Sequence, residues 1–142
     1  MTAATLKARP VGATAVLGRQ GFPQVTSATG GELAIVTGAS QPGFNPLDLL
    51  YASLAACLAM SARIAAHELG VMDRISEITA AVSGDKAEDG PSRIGQFEIA
   101  FTIVGDLDDR TRQAIAERAE NEVCTVSNTI RSDPTFTTTV SG

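Results

Sequence analysis

The chain is predicted to fold as an α+β domain with two helices, of which the first is long and central. A helix-favouring stretch runs without interruption from Pro46 to Leu69. Short apolar segments separated by glycine-rich or polar turns lie on both sides of it, a pattern typical of β-hairpins. A second amphipathic stretch follows the last hairpin. The order strands, helix, strands, helix, strand indicates the α+β class.

The N-terminal third is predicted to form three short strands. The first covers Ala13–Leu17 and is followed by a turn at 18–21, where two glycines give the backbone freedom. The next two strands, Val25–Ser27 and Leu33–Val36, flank a turn that contains Gly30 and Gly31.

The long helix has clear start and stop signals. Asn45 is the predicted N-cap, Pro46 occupies the first helical position, and Asp48 completes a capping box with Asn45. Gly70 is predicted to cap the other end. The first half, 49–62, carries no charge on any face, and such a helix must be covered on all sides. A chain this small can hardly surround it, so we predict an obligate homodimer.

The C-terminal half is predicted to contain a hairpin, a helix and a last strand. Apolar residues alternate over Ile78–Val82 and again over Phe97–Ile103, with a polar turn at 84–92 between them. A helix is expected to open at Asp108 or Asp109 and to continue to about Val123. Phe136–Val140 is the predicted last strand.

Length and composition limit the classes of protein to which the chain can belong. With 142 residues, the chain is expected to form a single domain over 1–142. A net charge of −5 argues against nucleic acid and anionic membranes as partners. Residues 1–10 lack the apolar region of a signal peptide, and the charge-free run 49–62 is too short to span a bilayer. A cytoplasmic location is expected, where thiols are free, metal-bound or redox-active.

Two cysteines carry most of the functional information. Cys57 lies within the apolar helix, and Cys124 directly follows the second predicted helix. Each can be an inert core thiol, because free cysteine is among the most buried residue types. Each can also be reactive, which for Cys57 requires a neighbouring cation or donor that lowers its pKa. Two cysteines and one histidine supply too few ligands for a zinc site, and no metal or cofactor is expected.

Two charged residues are candidates for a role in the reactivity of these thiols. Arg19 lies in the first glycine turn, where it is either a solvated turn residue or a cation that holds a thiolate. Asp48 is a capping carboxylate favoured by the helix dipole.

The residues around both cysteines resemble known motifs. Residues 45–57, Asn-Pro-Leu-Asp-Leu-Leu-Tyr-Ala-Ser-Leu-Ala-Ala-Cys, resemble the first cysteine motif of the OsmC/Ohr superfamily. Residues 122–130, Glu-Val-Cys-Thr-Val-Ser-Asn-Thr-Ile, resemble its second motif, usually Cys-Pro-Val-Ser-Asn-Thr. The order of elements also matches, so the resemblance covers nearly the whole chain.

The resemblance implies the OsmC-like fold, an intertwined homodimer with two central helices, and cysteine-dependent reduction of organic hydroperoxides in oxidative stress defence. In that scheme the Cys57 thiolate attacks the peroxide, and the resulting sulfenic acid condenses with Cys124 to a disulfide. A lipoylated protein or another dithiol then reduces the disulfide. Arg19, in Leu-Gly-Arg-Gln-Gly, corresponds to the family's hairpin arginine and would hold the thiolate.

Two departures from the family pattern bear on this activity. In the organic hydroperoxide resistance branch, a glutamate that pairs with the arginine stands where this chain has Leu47, and Asp48 follows one position later. Thr125 replaces the usual proline, which alters the stiffness of the loop more than the chemistry. Asp48 replaces the glutamate only if the start of the helix directs it toward Arg19.

Four apolar residues are expected to favour organic peroxides over hydrogen peroxide by forming a substrate pocket: Phe44, Leu47, Leu50 and Leu54. A second hypothesis treats Leu47 as a sign of lost peroxidase chemistry, in a non-enzymatic module that binds a small apolar molecule. A third treats the protein as a redox sensor whose disulfide changes a partner interaction.

Overall fold

The computed structural model describes residues 8–142, and it confirms the predicted α+β class. The chain forms two compact units, one that ends at Leu49 and one that covers Leu50–Gly142. The strands are β1 Ala13–Val16, β2 Gln24–Ser27, β3 Glu32–Ala34, β4 Ile75–Lys86 and β5 Ile94–Gly105. The helices are α1 Pro46–Glu68, α2 Asp109–Arg118 and α3 Thr125–Arg131.

The N-terminal unit contains an antiparallel sheet of three strands in the order β1-β2-β3. Ala13 pairs with Ser27, and Val25 pairs with Leu33. At the turn between β2 and β3, Gly30 has a φ of 97°, which a residue with a Cβ adopts only rarely. All three predicted strands are present. The third is shorter than predicted because Ile35 leaves the sheet and forms an isolated parallel bridge to Phe44.

Both predicted ends of α1 are confirmed. The backbone N–H of Asp48 donates to Asn45 Oδ1 at 2.8 Å, and the N–H of Asn45 donates to Asp48 Oδ2 at 3.0 Å, which is a complete capping box. At the other end Gly70 has a φ of 74° and donates to the His67 carbonyl at 3.0 Å. The N–H of Val71 donates to the Ala66 carbonyl at 3.0 Å, which completes a Schellman motif.

The predicted hairpin is confirmed but is longer than expected, since β4 and β5 have 12 residues each. Gly84, predicted to begin the turn, lies inside β4 opposite Phe97. A Cβ at Gly84 would lie 2.8 Å from the Gln96 carbonyl oxygen. Glycine therefore permits a close approach of the two backbones here, and the prediction of a turn at this position was wrong.

The core of the C-terminal unit lies between α1, the hairpin and the C-terminal helices. One group of buried residues joins α1 to α2 and β5, namely Ala62, Ala65, Ala66, Ile103, Ile115 and Ala119. A second group contains Leu54, Leu58 and Cys124. The alanines of α1 allow close packing because they have almost no side-chain volume. α1 is 23 residues long and apolar enough to cross a membrane by length and composition alone, but the core helix of a globular protein meets the same criterion.

The C-terminal region differs from the prediction in two ways. The helix expected over 108–123 is α-helical only to Arg118, and Ala119–Val123 form a π-helical turn before α3 begins. The predicted strand at Phe136–Val140 is not formed, and these two side chains are 92% and 93% exposed. A strand needs a paired neighbour, and residues 136–140 pair with no other residue within 8–142.

Candidate active site

The two cysteines lie together in one core cluster of the C-terminal unit. Cys57 is half-buried on α1 and packs against the buried residues Leu54, Leu58 and Cys124. Cys124 is fully buried at the start of α3. Both are free thiols. The fold therefore joins two thiols that are far apart in the sequence.

Cys124 is held from both sides. Its backbone N–H donates to the Ala119 carbonyl at 2.9 Å across the π-helical turn. Its Sγ accepts a hydrogen bond from the backbone N–H of Ser127 at 3.4 Å, so the thiol caps the N-terminus of α3. The Ser127 hydroxyl in turn donates to the Glu120 carbonyl at 2.6 Å. These bonds fix the position of Cys124 between the π-helical turn and α3.

The environment of Cys57 favours the thiolate. Burial raises the pKa of the Cys57 thiol, because a charge is costly away from water. Hydrogen bonds from the backbone N–H of Val126, the Cys124 thiol, the Ser61 hydroxyl and the backbone N–H of Thr125 lower it. The hydrogen bonds outweigh burial, and the pKa of Cys57 lies below that of an ordinary thiol.

This arrangement can perform thiol redox chemistry. A thiolate at Cys57 is a nucleophile, and oxidation by a peroxide converts it to a sulfenic acid. Cys124 lies in the same core cluster as Cys57, and its thiol can condense with that sulfenic acid. Among residues 8–142, no three His, Cys, Asp or Glu side chains are grouped to hold a metal ion.

Alkylation of Cys57 by iodoacetamide is expected to remain fast at a pH where an ordinary thiol is already protonated. Only the thiolate reacts, so the rate falls as the pH falls through the lowered pKa. Peptide-resolved mass spectrometry over a pH series measures the midpoint. Ser61→Ala removes one donor and is expected to raise this midpoint. A wild-type midpoint equal to that of N-acetylcysteine would contradict the lowered pKa.

Arg19 and Asp48 belong to the N-terminal unit. Arg19 is exposed in the bend between β1 and β2, next to Gly21, whose φ is 84°. Asp48 is committed to the capping box, where one of its carboxylate oxygens accepts from Asn45. Cys57 belongs to the other compact unit, so the expected action of Arg19 and Asp48 on its thiolate stays a prediction.

A cavity of about 210 Å³ lies beside the cysteine cluster. Its apolar wall contains Leu54, and its polar wall contains Ser127, Glu120 and Arg131; Phe97, Ile99 and Ile130 complete the lining. Of the four residues predicted to form a substrate pocket, Leu54 lines this cavity and Leu50 is half-buried on α1. Phe44 and Leu47 lie in the N-terminal unit, so a pocket formed by all four remains a prediction. A larger cavity of about 520 Å³ lies between β5 and α2 and shares Phe97, Ile99 and Glu120 with the smaller one.

Comparison with known proteins decides the family. The family model described as OsmC-like protein matches residues 38–139. The chain belongs to the OsmC-like family. This confirms the resemblance seen in the two cysteine motifs. No curated protein matches the chain.

Solved structures agree with this OsmC-like assignment. The organic hydroperoxide resistance protein OhrB of Bacillus subtilis is 32% identical, with a TM-score of 0.65 over 86% of this chain and 90% of that chain. An organic hydroperoxide resistance protein from Elizabethkingia anophelis is 26% identical, with a TM-score of 0.70 over 91% of each chain. An OsmC like protein from Mycoplasma pneumoniae, 18% identical over 88% of this chain and 89% of that chain, shares the fold with a TM-score of 0.72. The predicted OsmC-like fold is confirmed.

Sequence reasoning missed several groups that surround the thiols. Ser61 lies four residues after Cys57, so its place on the same helical face could have been read from the spacing. The backbone amides of Thr125 and Val126 could not, because their position depends on where α3 begins. The ion pair between Glu120 and Arg131, at 2.7 Å, joins the π-helical turn to α3, two elements that the sequence did not predict.

Proposed function

We propose that this OsmC-like protein is a thiol peroxidase that reduces organic hydroperoxides in a peroxide stress response. The observation that carries the proposal is the half-buried Cys57 thiol, whose pKa is lowered and which packs against the buried Cys124 in one core cluster. Similarity to proteins described as organic hydroperoxide resistance proteins, one of them 32% identical, supports the choice of substrate.

The proposed cycle transfers two electrons. The Cys57 thiolate attacks one peroxide oxygen, the O–O bond breaks, and the alkoxide leaves and takes up a proton to become an alcohol. Cys57 is then a sulfenic acid. Cys124 attacks its sulfur, the S–S bond forms, and the hydroxyl leaves as water with the proton of the Cys124 thiol. An external dithiol, such as a lipoylated protein, restores both thiols by disulfide exchange and is itself oxidised. The cytoplasm is a compartment that keeps such dithiols reduced.

In this proposal the N-terminal unit completes the site. Arg19 stabilises the Cys57 thiolate, Asp48 orients Arg19, and an apolar pocket that includes Phe44, Leu47 and Leu50 receives the alkyl group of the peroxide. A guanidinium is always charged and offers several donors, which suits it to hold an anion.

We also propose that the protein is a homodimer joined through α1. A stripe along this helix is exposed in the single chain and consists of Ser53, Ala56, Met60 and Ile64. Met60 is 58% exposed and Ile64 is 47% exposed. Ala56, Met60 and Ile64 are apolar and spaced four residues apart on one exposed face, which suits them to burial against a second copy of the helix.

Ile64→Asp is expected to convert the dimer to a monomer, because the buried charge would lack a partner. Light scattering coupled to size-exclusion chromatography measures the mass. Glu68→Asp, in the next turn of α1, is the control and should leave the mass unchanged. A monomeric wild-type protein, or a dimer that persists in Ile64→Asp, would contradict this interface.

The test of the peroxidase proposal is consumption of cumene hydroperoxide and hydrogen peroxide in a system that regenerates dihydrolipoamide. Wild type is expected to consume the bulky peroxide faster, and Cys57→Ser is expected to consume neither. Equal turnover of the two peroxides would contradict the apolar pocket. Turnover no higher than the Cys57→Ser background would overturn the proposal and favour the ligand-binding module, for which Leu47 in place of glutamate is the supporting observation.

A further inference from the structure

We propose that Arg131 is a positioning residue, whose ion pair with Glu120 holds the Cys124 thiol where it can close the disulfide on Cys57. This role rests on the proposed function. It concerns only the second step of the cycle, after the peroxide has reacted. Arg131 is not expected to touch the peroxide or the Cys57 sulfur.

The contacts of Arg131 span the cysteine. Arg131 is the last residue of α3, and Glu120 and Asn121 lie in the π-helical turn on the other side of Cys124. Arg131 Nη2 donates to Glu120 Oε1 at 2.7 Å, and Nη1 donates to Asn121 Oδ1 at 2.7 Å. One guanidinium therefore ties the far end of α3 back to the segment that precedes Cys124.

The segment that this tie secures needs external support. A π-helical turn is rare and is usually confined to a single turn, so the local backbone alone gives Cys124 little stability. Ser127 Oγ donates to the Glu120 carbonyl at 2.6 Å, and Asn128 Nδ2 donates to the Glu122 carbonyl at 3.2 Å. Ser127, Asn128 and Arg131 of α3 therefore hydrogen-bond to three residues of the π-helical turn. These residues are Glu120, Asn121 and Glu122. The ion pair is the charged member of this set.

The position of Cys124 should control how fast the disulfide closes. Closure is an intramolecular reaction, and its rate depends on how well the two groups are held in reacting geometry. Cys57 already packs against Cys124 in one core cluster, so a looser π-helical turn would spend less time in reacting geometry. Arg131 is not itself among the groups that lower the pKa of Cys57, so formation of the sulfenic acid should depend on it less than closure does.

The test is a single-turnover reaction of reduced Arg131→Gln with one equivalent of cumene hydroperoxide. Dimedone trapping measures formation of the sulfenic acid, and non-reducing mass spectrometry of quenched samples measures closure of the disulfide. Arg131→Gln is expected to slow closure by roughly threefold to tenfold, which corresponds to the loss of about one ordinary hydrogen bond, and to slow sulfenic acid formation less than closure. Arg131→Lys retains the charge but not the forked geometry and should recover part of the rate.

A matched control is available on the same chain. Arg93 has the same side-chain exposure as Arg131, 51%, and pairs with Asp89 at 3.3 Å in the loop between β4 and β5. Arg93→Gln should change neither step. Glu120→Gln removes the other partner of the proposed pair, and the double variant should slow closure no more than Arg131→Gln alone.

Three results would overturn the role of Arg131. Closure at the wild-type rate or faster in Arg131→Gln would show that the ion pair does not hold Cys124 in reacting geometry. Additive slowing by Glu120→Gln and Arg131→Gln would show that the two residues do not act as a pair. Equal slowing of both steps, or loss of the folded state by circular dichroism in both single variants, would indicate a general structural role. Absence of sulfenic acid even in wild type would overturn the proposed function, and this role with it.

Discussion

Cys124→Ser is expected to react with about one equivalent of cumene hydroperoxide per subunit and then to stop. The Cys57 sulfenic acid would still form, but no second thiol would be present to convert it to a disulfide. Serine keeps a side-chain acceptor for the Ser127 N–H, so the cap of α3 should survive. Turnover with dihydrolipoamide should fall by roughly a hundredfold or more, in the range seen when a reaction loses a group held in place.

The expected product of Cys124→Ser can be trapped. Dimedone added after the peroxide should label Cys57 almost fully in Cys124→Ser and only slightly in wild type, with Cys57→Ser as the unlabelled control. Sustained turnover by Cys124→Ser would mean that the external dithiol reduces the sulfenic acid directly. Cys124 would then be a core thiol, as its complete burial also allows.

Leu58→Ala is expected to lower the free energy of unfolding by about 2–5 kcal/mol. Leu58 is fully buried in the cluster that contains Leu54 and Cys124, so its truncation removes transfer free energy and leaves a cavity. The loss is a large share of the roughly 5–15 kcal/mol that stabilises a domain. Urea unfolding at fixed protein concentration measures it, because unfolding of a dimer depends on concentration.

Leu69→Ala is the matched control for Leu58→Ala. Leu69 is 42% exposed directly after the end of α1, so the same truncation there should cost less than about 1 kcal/mol. Equal losses at the two positions would contradict the burial difference on which the prediction depends. A smaller loss at Leu58 would mean that the neighbouring helices close the cavity.

The elements with local chemical signals could be predicted from sequence. Asn45 and Asp48 marked the start of α1, Gly70 marked its end, and alternating apolar residues marked the hairpin. The strand predicted over 136–140 consists of aromatic and β-branched residues, but a strand also depends on a partner, which composition does not reveal. Gly84 resembled a turn residue, although its role is a close contact between two strands.

The two cysteines could be identified from sequence, but most of their surroundings could not. Spacing and motif identified Cys57 and Cys124 as a pair, and the structure places them in one cluster. The start of α3 was missed because its N-cap is a cysteine, which is not among the preferred capping residues. A π-helical turn has no compositional signal, so the contacts of Glu120 with Arg131 and Ser127 were not predictable either.

The π-helical turn also has a consequence for insertions and deletions in this part of the chain. The buried residues of the C-terminal helices are Ile115, Ala119, Cys124 and Ser127, with successive separations of four, five and three residues. The separation of five falls at the hydrogen bond from Cys124 to Ala119. In an ordinary α-helix, a residue four positions after Ala119 would already lie on the same face. The π-helical turn is thus equivalent to an α-helical turn with one inserted residue. The extra residue is accommodated as a bulge, and Cys124 remains fully buried. The number of residues that precede this cysteine is therefore a poor guide to its position, and its burial in the core is the property to compare between proteins.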